Sequence, residues 1–380
     1  MRSGLDCIHP EQPPSGTDLR QEDATPDGPN LTEYALPEPL RLRTTSAAHS
    51  GACPVLRTSA FLLTIAAGLL APTGLSAAPD PAAKPPKENA AKPNAAQDSP
   101  LVSTEWLEKN LDAKNLRIVE VSVEPGVFER GHVPGAQNVV WHTDLVETVS
   151  RDIAGPEKFT ALARRLGIDR DTTVVLYGDN NNWFAAWGAW VLAQYGLVDN
   201  VKLLDGGRKK WEAEKRPLDT RTAEVAPSAF TAQAPSGKLR ARFADVLAVA
   251  KRERDEHILD IRSPDEFSGK VIAPPGIQEL AIRAGHIPGS VNIPWAKAVN
   301  PDGTLKSKEE LKTLYAAAGI DGSKPIITSC RIGERSSHSW FVLSRILGYD
   351  ARNYDGSWTE YGNAVGVPVV NLAGTVWGGK

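Results

Sequence analysis

From Leu101 onward the chain alternates short β-branched runs with stretches whose apolar residues recur at helical spacing. The run Pro325–Ser329 reads as a buried strand, and from Ser336 to Leu347 the residues Trp340, Phe341, Leu343, Ile346 and Leu347 mark one face of a helix, with Ser336 or Ser337 as its candidate N-cap. The pattern is written twice. Gly131-His132-Val133-Pro134-Gly135 returns as Gly285-His286-Ile287-Pro288-Gly289, and the strand Arg117–Val121 returns as Ile258–Arg262. Leu203-Leu204-Asp205-Gly206-Gly207 returns as Asn353-Tyr354-Asp355-Gly356-Ser357. Strands alternating with helices call for a mostly parallel sheet covered by helices on both faces, so the chain is expected to be a duplicated α/β protein. Its two domains are expected at 100–222 and 238–370, joined near Thr220 to Gly237.

The chain before Leu101 has a different texture. Residues 1–54 mix Pro, Gly, Asp, Glu and Thr without periodicity, the composition of a segment that cannot bury a core. Arg57, then an apolar stretch from Ala60 to Leu70, then Ser76-Ala77-Ala78 read as a secretory signal peptide over 55–78, cleaved after Ala77 or Ala78. The stretch is shorter than the ~20 apolar residues of a membrane span. Met1 is the only methionine, so a non-AUG start at Val55 or Leu56 is the expectation, with residues 1–54 disordered or untranslated. Residues 79–99 form an Ala-, Pro- and Lys-rich linker, and the mature protein is expected to be periplasmic or secreted and off the membrane.

Composition narrows the function classes. A net charge of −3 and the lack of long basic runs leave no footprint for nucleic acid. Three cysteines, Cys7, Cys53 and Cys330, make neither a disulfide framework nor a metal site. His132 and His286 belong to turns, with no second ligand at metal spacing.

The remaining thiol carries the candidate chemistry. Cys330 falls between a strand and a helix, in the loop Cys330-Arg331-Ile332-Gly333-Glu334-Arg335-Ser336. Loop amides and a helix N-terminus there converge on an anion, and two guanidiniums, Arg331 and Arg335, flank the sulfur. These features favour thiolate, so the thiol is expected to ionise below the ~8.5 of free cysteine. Burial as an inert structural cysteine is the ordinary fate of a lone thiol, and flanking arginines fit it poorly. Gly333 is expected to adopt a conformation other residues resist. Capping is the expected work of Ser336 and Ser337, with donation to a bound sulfur as the alternative, and His338 is expected to be solvated. The first half has Tyr177-Gly178-Asp179-Asn180-Asn181-Asn182-Trp183-Phe184 at the corresponding place, with no thiol and no arginine. Trp183 and Phe184 either wall the Cys330 pocket or belong to their own core.

The Gly-His-Ile-Pro-Gly element, the Asp260-x-Arg262 strand end, the Cys330–Ser336 loop and Gly356-Ser357-Trp358 together resemble the rhodanese family of sulfurtransferases, over roughly residues 100–370. The resemblance implies tandem rhodanese-like domains of which only the second is catalytic, with Cys330 as nucleophile and Arg331, Ile332, Gly333, Glu334, Arg335 and Ser336 as the substrate-binding loop. Family members that prefer mercaptopyruvate more often carry Gly after the Cys and Thr near the loop's end; arginines stand at both places here, as in the thiosulfate-preferring pattern. Some members place a substrate-binding arginine where this chain has Glu266, so the anion clamp would fall to the loop or to Arg283. Asp260 and Arg262 read as a supporting ion pair.

The expected reaction moves the outer sulfur of thiosulfate to Cys330 as a persulfide, releases sulfite, and passes the sulfur to a small nucleophile such as cyanide or a thiol, with a protein thiol as one candidate acceptor. No cofactor or metal enters it, and the chain is expected to act as a monomer. The alternatives are mercaptopyruvate as donor, a cysteine phosphatase-like enzyme, and a non-catalytic sulfur-binding module. Phosphatase cradles typically place five residues between Cys and Arg, against four here.

Overall fold

The structure is a computed structural model that describes residues 99–276 and 280–376. The 1–54 segment, the signal peptide expected at 55–78 and the linker up to residue 98 lie outside the described residues. No described helix is long and apolar enough to cross a membrane.

Two five-stranded sheets share one topology. The first runs β1 (Leu101–Val102), β5 (Val201–Leu204), β4 (Thr173–Tyr177), β2 (Leu116–Glu120), β3 (Ala136–Asn138). The second runs β6 (Arg240–Ala241), β10 (Ala351–Tyr354), β9 (Ile326–Ser329), β7 (His257–Asp260), β8 (Val291–Asn292). Every ladder is parallel, so each strand return is a crossover. β4 and β9 lie at the centre of their sheets, and their Val, Ile and Leu side chains are buried, as a sheet covered on both faces requires. Between Ala213 and Gly237 no helix or strand forms.

The halves pack against one another through two helices. The helix Trp183–Gln194 is apolar all round, and every residue from Ala185 to Gln194 is buried. It lies against the helix Glu334–Trp340, which continues through a π-helical turn, Phe341–Ile346. One apolar cluster therefore runs across both halves, from Trp187 and Trp190 to Trp340 and Leu343.

Candidate active site

Cys330 follows the last residue of central strand β9, at the carboxyl end of the sheet, where open parallel sheets place their ligands. The side chain is buried, and its Sγ accepts the Gly333 N–H at 3.1 Å. Ser357 receives the Cys330 N–H on its Oγ at 3.0 Å, gives its own proton to the Tyr354 carbonyl, and stands 3.9 Å from the sulfur. The backbone after β10 locks the loop from below: Trp358 N–H meets the Cys330 carbonyl and Thr359 N–H meets the Arg331 carbonyl.

Gly333 caps the helix with φ 102°, and a Cβ there would lie 2.5 Å from the Asp355 carbonyl oxygen. Only glycine fits this turn. The expected serine N-cap is thereby corrected. Ser336 and Ser337 are inside the helix, and both hydroxyls donate to the Gly333 carbonyl at 2.9 Å, as does Asn353 Nδ2 at 3.1 Å. Gly333 reverses the chain early, so the serines fall one turn too late to cap, and their hydroxyls bond back to its carbonyl. His338 is corrected too: it is buried rather than solvated, and burial holds its imidazole down at about 4.

Charge alternates along a buried path toward the thiol. Arg262 grips Asp260 through two nitrogens, Nε at 3.0 Å and Nη2 at 2.6 Å, and stacks over Trp358. Glu266 is the N3 residue of the helix Pro264–Ser268, where a capping box with Ser263 fixes it. Its carboxylate meets Arg335 at 3.1 Å. Burial pushes Glu266 up, but Arg335 and the Ser263 N–H outweigh it and hold the carboxyl below its usual range. Burial opposes charge on Arg335 as well; Cys330, Glu266 and Asp260 more than offset that and raise its pKa. Arg335 thus pairs with Glu266 and lies within electrostatic reach of the sulfur. Trp183 from the first half covers its other side, ring centroid 5.8 Å from the guanidinium carbon. Phe184 packs instead on Trp141, centroids 5.0 Å apart.

Arg283 does not reach this site. Its guanidinium serves the carbonyls of Tyr361, Gly362, Ala364 and Val367, pinning the chain after the helix Ser357–Asn363. The reading of Arg283 as an alternative anion clamp is corrected on that ground. His132 and His286 each bond a backbone carbonyl, of Phe128 and Phe267, and stack on those rings.

Residues that sequence reasoning left out complete the loop. Arg151, from the first half, bonds Glu334 at 2.7 Å, the Ile332 carbonyl at 2.8 Å and Asp355 at 3.4 Å. Asp355 also receives Trp187 Nε1–H at 2.8 Å. Burial, with Asp355 beside it, pushes Glu334 up to about 8 against the pull of Arg151. The one available signal was the repeated Asp-Gly turn: Asp355 and Ser357 hold the places of Asp205 and Gly207. Nothing in the sequence brings Arg151 near residue 334. A cavity of about 340 Å³ opens on the outer side of Ile332, lined by Arg151, Arg240, Arg242, Thr359 and Glu360 among others.

The first half closes the equivalent turn with a different side chain. Gly178 follows β4 as Cys330 follows β9, and its N–H donates to Asn182 Oδ1 at 2.9 Å. Asn182 Nδ2 then donates to the Leu204 carbonyl at 2.7 Å. The Asn182 amide thus accepts in the first half the N–H that the Ser357 hydroxyl accepts in the second, beside Gly207, the counterpart of Ser357.

Residues 103–214 and 244–364 each match the rhodanese-like domain. The chain is 50% identical over 276 residues to a protein of Mycolicibacterium smegmatis named "Putative thiosulfate sulfurtransferase", covering 72% of this chain and 98% of that one. It is 49% identical over 273 residues to the sulfur carrier protein TtuD of Thermus thermophilus, covering 71% and 95%. The Escherichia coli SseA crystal structure, described as a 3-mercaptopyruvate sulfotransferase, superposes with TM-score 0.58 at 26% identity, over 68% of this chain and 99% of that one. With both halves matched and half of the aligned residues shared with a near full-length relative, the chain belongs to the rhodanese-like family.

Proposed function

We propose that the protein is a thiosulfate sulfurtransferase with Cys330 as its nucleophile. The observation that carries this is the buried Sγ at the carboxyl end of β9, held by the Gly333 N–H and within electrostatic reach of Arg335. The Cys330 thiolate attacks the outer sulfur of thiosulfate; a new S–S bond forms, the old one breaks, and its electron pair leaves on sulfite. Arg335, and Arg331 beside Glu334, serve the sulfonate oxygens and offset the charge gathering on sulfite. An acceptor then attacks the outer sulfur of the persulfide and returns the thiolate. With cyanide the product is thiocyanate. Glu266, Asp260 and Arg262 support the clamp, and Trp183 walls it.

Mercaptopyruvate is the second reading, favoured by the likeness to SseA. Two guanidiniums in the loop suit a dianion better than a monoanion, which favours thiosulfate. Steady-state assays with thiosulfate and cyanide test the proposal: parallel double-reciprocal lines in the wild type and loss of turnover in Cys330→Ser are expected. Turnover retained in Cys330→Ser contradicts it.

Export is part of the same proposal and rests on the pattern over residues 55–78. Cleavage near Ala78 would leave Cys330 without a second cysteine in an oxidising compartment, so that no internal disulfide could lock it. N-terminal sequencing of native protein tests this; a chain that begins before residue 55 contradicts it.

A further inference from the structure

We propose that Arg151, a residue of the half without the thiol, is a positioning residue that acts on the Cys330 sulfur through one peptide group. The carbonyl of Ile332 and the N–H of Gly333 belong to the same planar trans peptide and point in opposite directions. On one side Arg151 Nη2 donates to the Ile332 oxygen at 2.8 Å; on the other the Gly333 N–H donates to Sγ at 3.1 Å. A cationic donor on the carbonyl fixes the plane and polarises the peptide, which strengthens the N–H as a donor to a thiolate or to the inner sulfur of a persulfide. The next carbonyl, that of Gly333, is held from behind by Ser336, Ser337 and Asn353, all from the second half. The peptide that touches the sulfur is the one that the other half holds.

The fold around Arg151 is built for this reach. Arg151 has φ 61°, in the left-handed region where non-glycine residues are strained. The loop carrying it is closed at its base by the bridge between Val146 and Ile153. The guanidinium lies over the Trp141 ring at 5.8 Å and also meets Glu334 and Asp355. The charged groups that face the thiol or this peptide are Arg331, Glu334 and Arg335 on the loop itself, Glu266 from the helix Pro264–Ser268, and Asp260 with Arg262 after β7. Asp355 follows β10, backed by Arg240, and Arg151 comes from the first half.

The inference rests on the reading of Cys330 as nucleophile, and alkylation tests it without using turnover. Iodoacetamide modification of the Cys330 peptide is followed by mass spectrometry at pH 6.5 and at pH 9.5, in Glu334→Gln and in Arg151→Met/Glu334→Gln, a pair in which the buried carboxylate partner is neutral. The double variant is expected to alkylate about 5-fold more slowly than Glu334→Gln at pH 6.5, and at the same rate at pH 9.5, where the thiolate no longer needs the donor. Equal rates at pH 6.5 in two folded variants overturn the proposal. Should the double variant not fold, Arg151→Lys keeps a charge but loses the planar fork that meets three acceptors, and is expected to slow alkylation at pH 6.5 about 3-fold; a wild-type rate there overturns it equally. Activity surviving in Cys330→Ser would sink the nucleophile and leave this measurement standing.

Discussion

The buried carboxylate of Glu266 pairs with the half-buried guanidinium of Arg335, 3.1 Å apart, beside the Cys330 loop. Here the cation comes from the loop and an acid holds it in place. Removing the acid frees Arg335 to turn toward solvent without removing its charge.

Glu266→Gln is therefore expected to raise the KM for thiosulfate by about 10-fold, with a smaller change in kcat, because it loosens a positioned charge. Arg335→Ala is expected to lower kcat/KM by ~10² or more, since it removes the charge itself. Steady-state kinetics of both variants check this. A change of only a few-fold in Arg335→Ala would assign the pair to structure alone.

Gly333→Ala is expected to cost the fold more than about 2 kcal/mol. The new Cβ meets the Asp355 carbonyl at 2.5 Å, and φ 102° is strained for any L-residue. Urea unfolding measures the loss. A near-wild-type midpoint would mean that the loop relaxes freely, against its backing by Asp355.

His338 makes stability depend on pH. Its folded pKa, about 4, lies below the ordinary 6.5, so the unfolded chain binds the proton more tightly. The contribution is complete above pH ~6.5 and is lost as pH falls toward 4, up to about 3 kcal/mol in all. His338→Gln is expected to flatten the stability curve across that window. Parallel curves for the two proteins would contradict the assignment.

Much of this was legible from Leu101 onward. The repeat predicted two matching sheets, and the loop after β9 was visible as a thiol among arginines. Local signals misled where the chain turns tightly: Ser336 and Ser337 look like caps, yet Gly333 starts the helix and the serines bond back to its carbonyl. His338 sits in a polar run, yet its ring meets Trp295 at 5.9 Å and shares a small cavity with Asn181 and Asn182 of the other half, a tertiary burial that no local pattern encodes. Arg151 was invisible for the same reason. Its partners Ile332 and Glu334 lie 181 and 183 residues away, and no periodicity encodes such a distance. Arg283 looked available, and the carbonyls at the end of the helix Ser357–Asn363 and just after it had already claimed it.

Thiosulfate is expected to exceed mercaptopyruvate in kcat/KM, because two arginines, Arg331 and Arg335, stand within five residues of Cys330, and paired guanidiniums suit a dianion. Parallel initial-rate measurements with one acceptor decide it. Equal or reversed preference would move the protein to the mercaptopyruvate reading.

The most direct test of the account follows one sulfur atom. Reduced protein is mixed with one equivalent of thiosulfate and no acceptor, sulfite is measured, and the Cys330 peptide is weighed. The account predicts one sulfite released per chain, a Cys330 peptide heavier by one sulfur atom, and return to the original mass on adding cyanide. Sulfite release without added mass on Cys330, or no release at all, would contradict it.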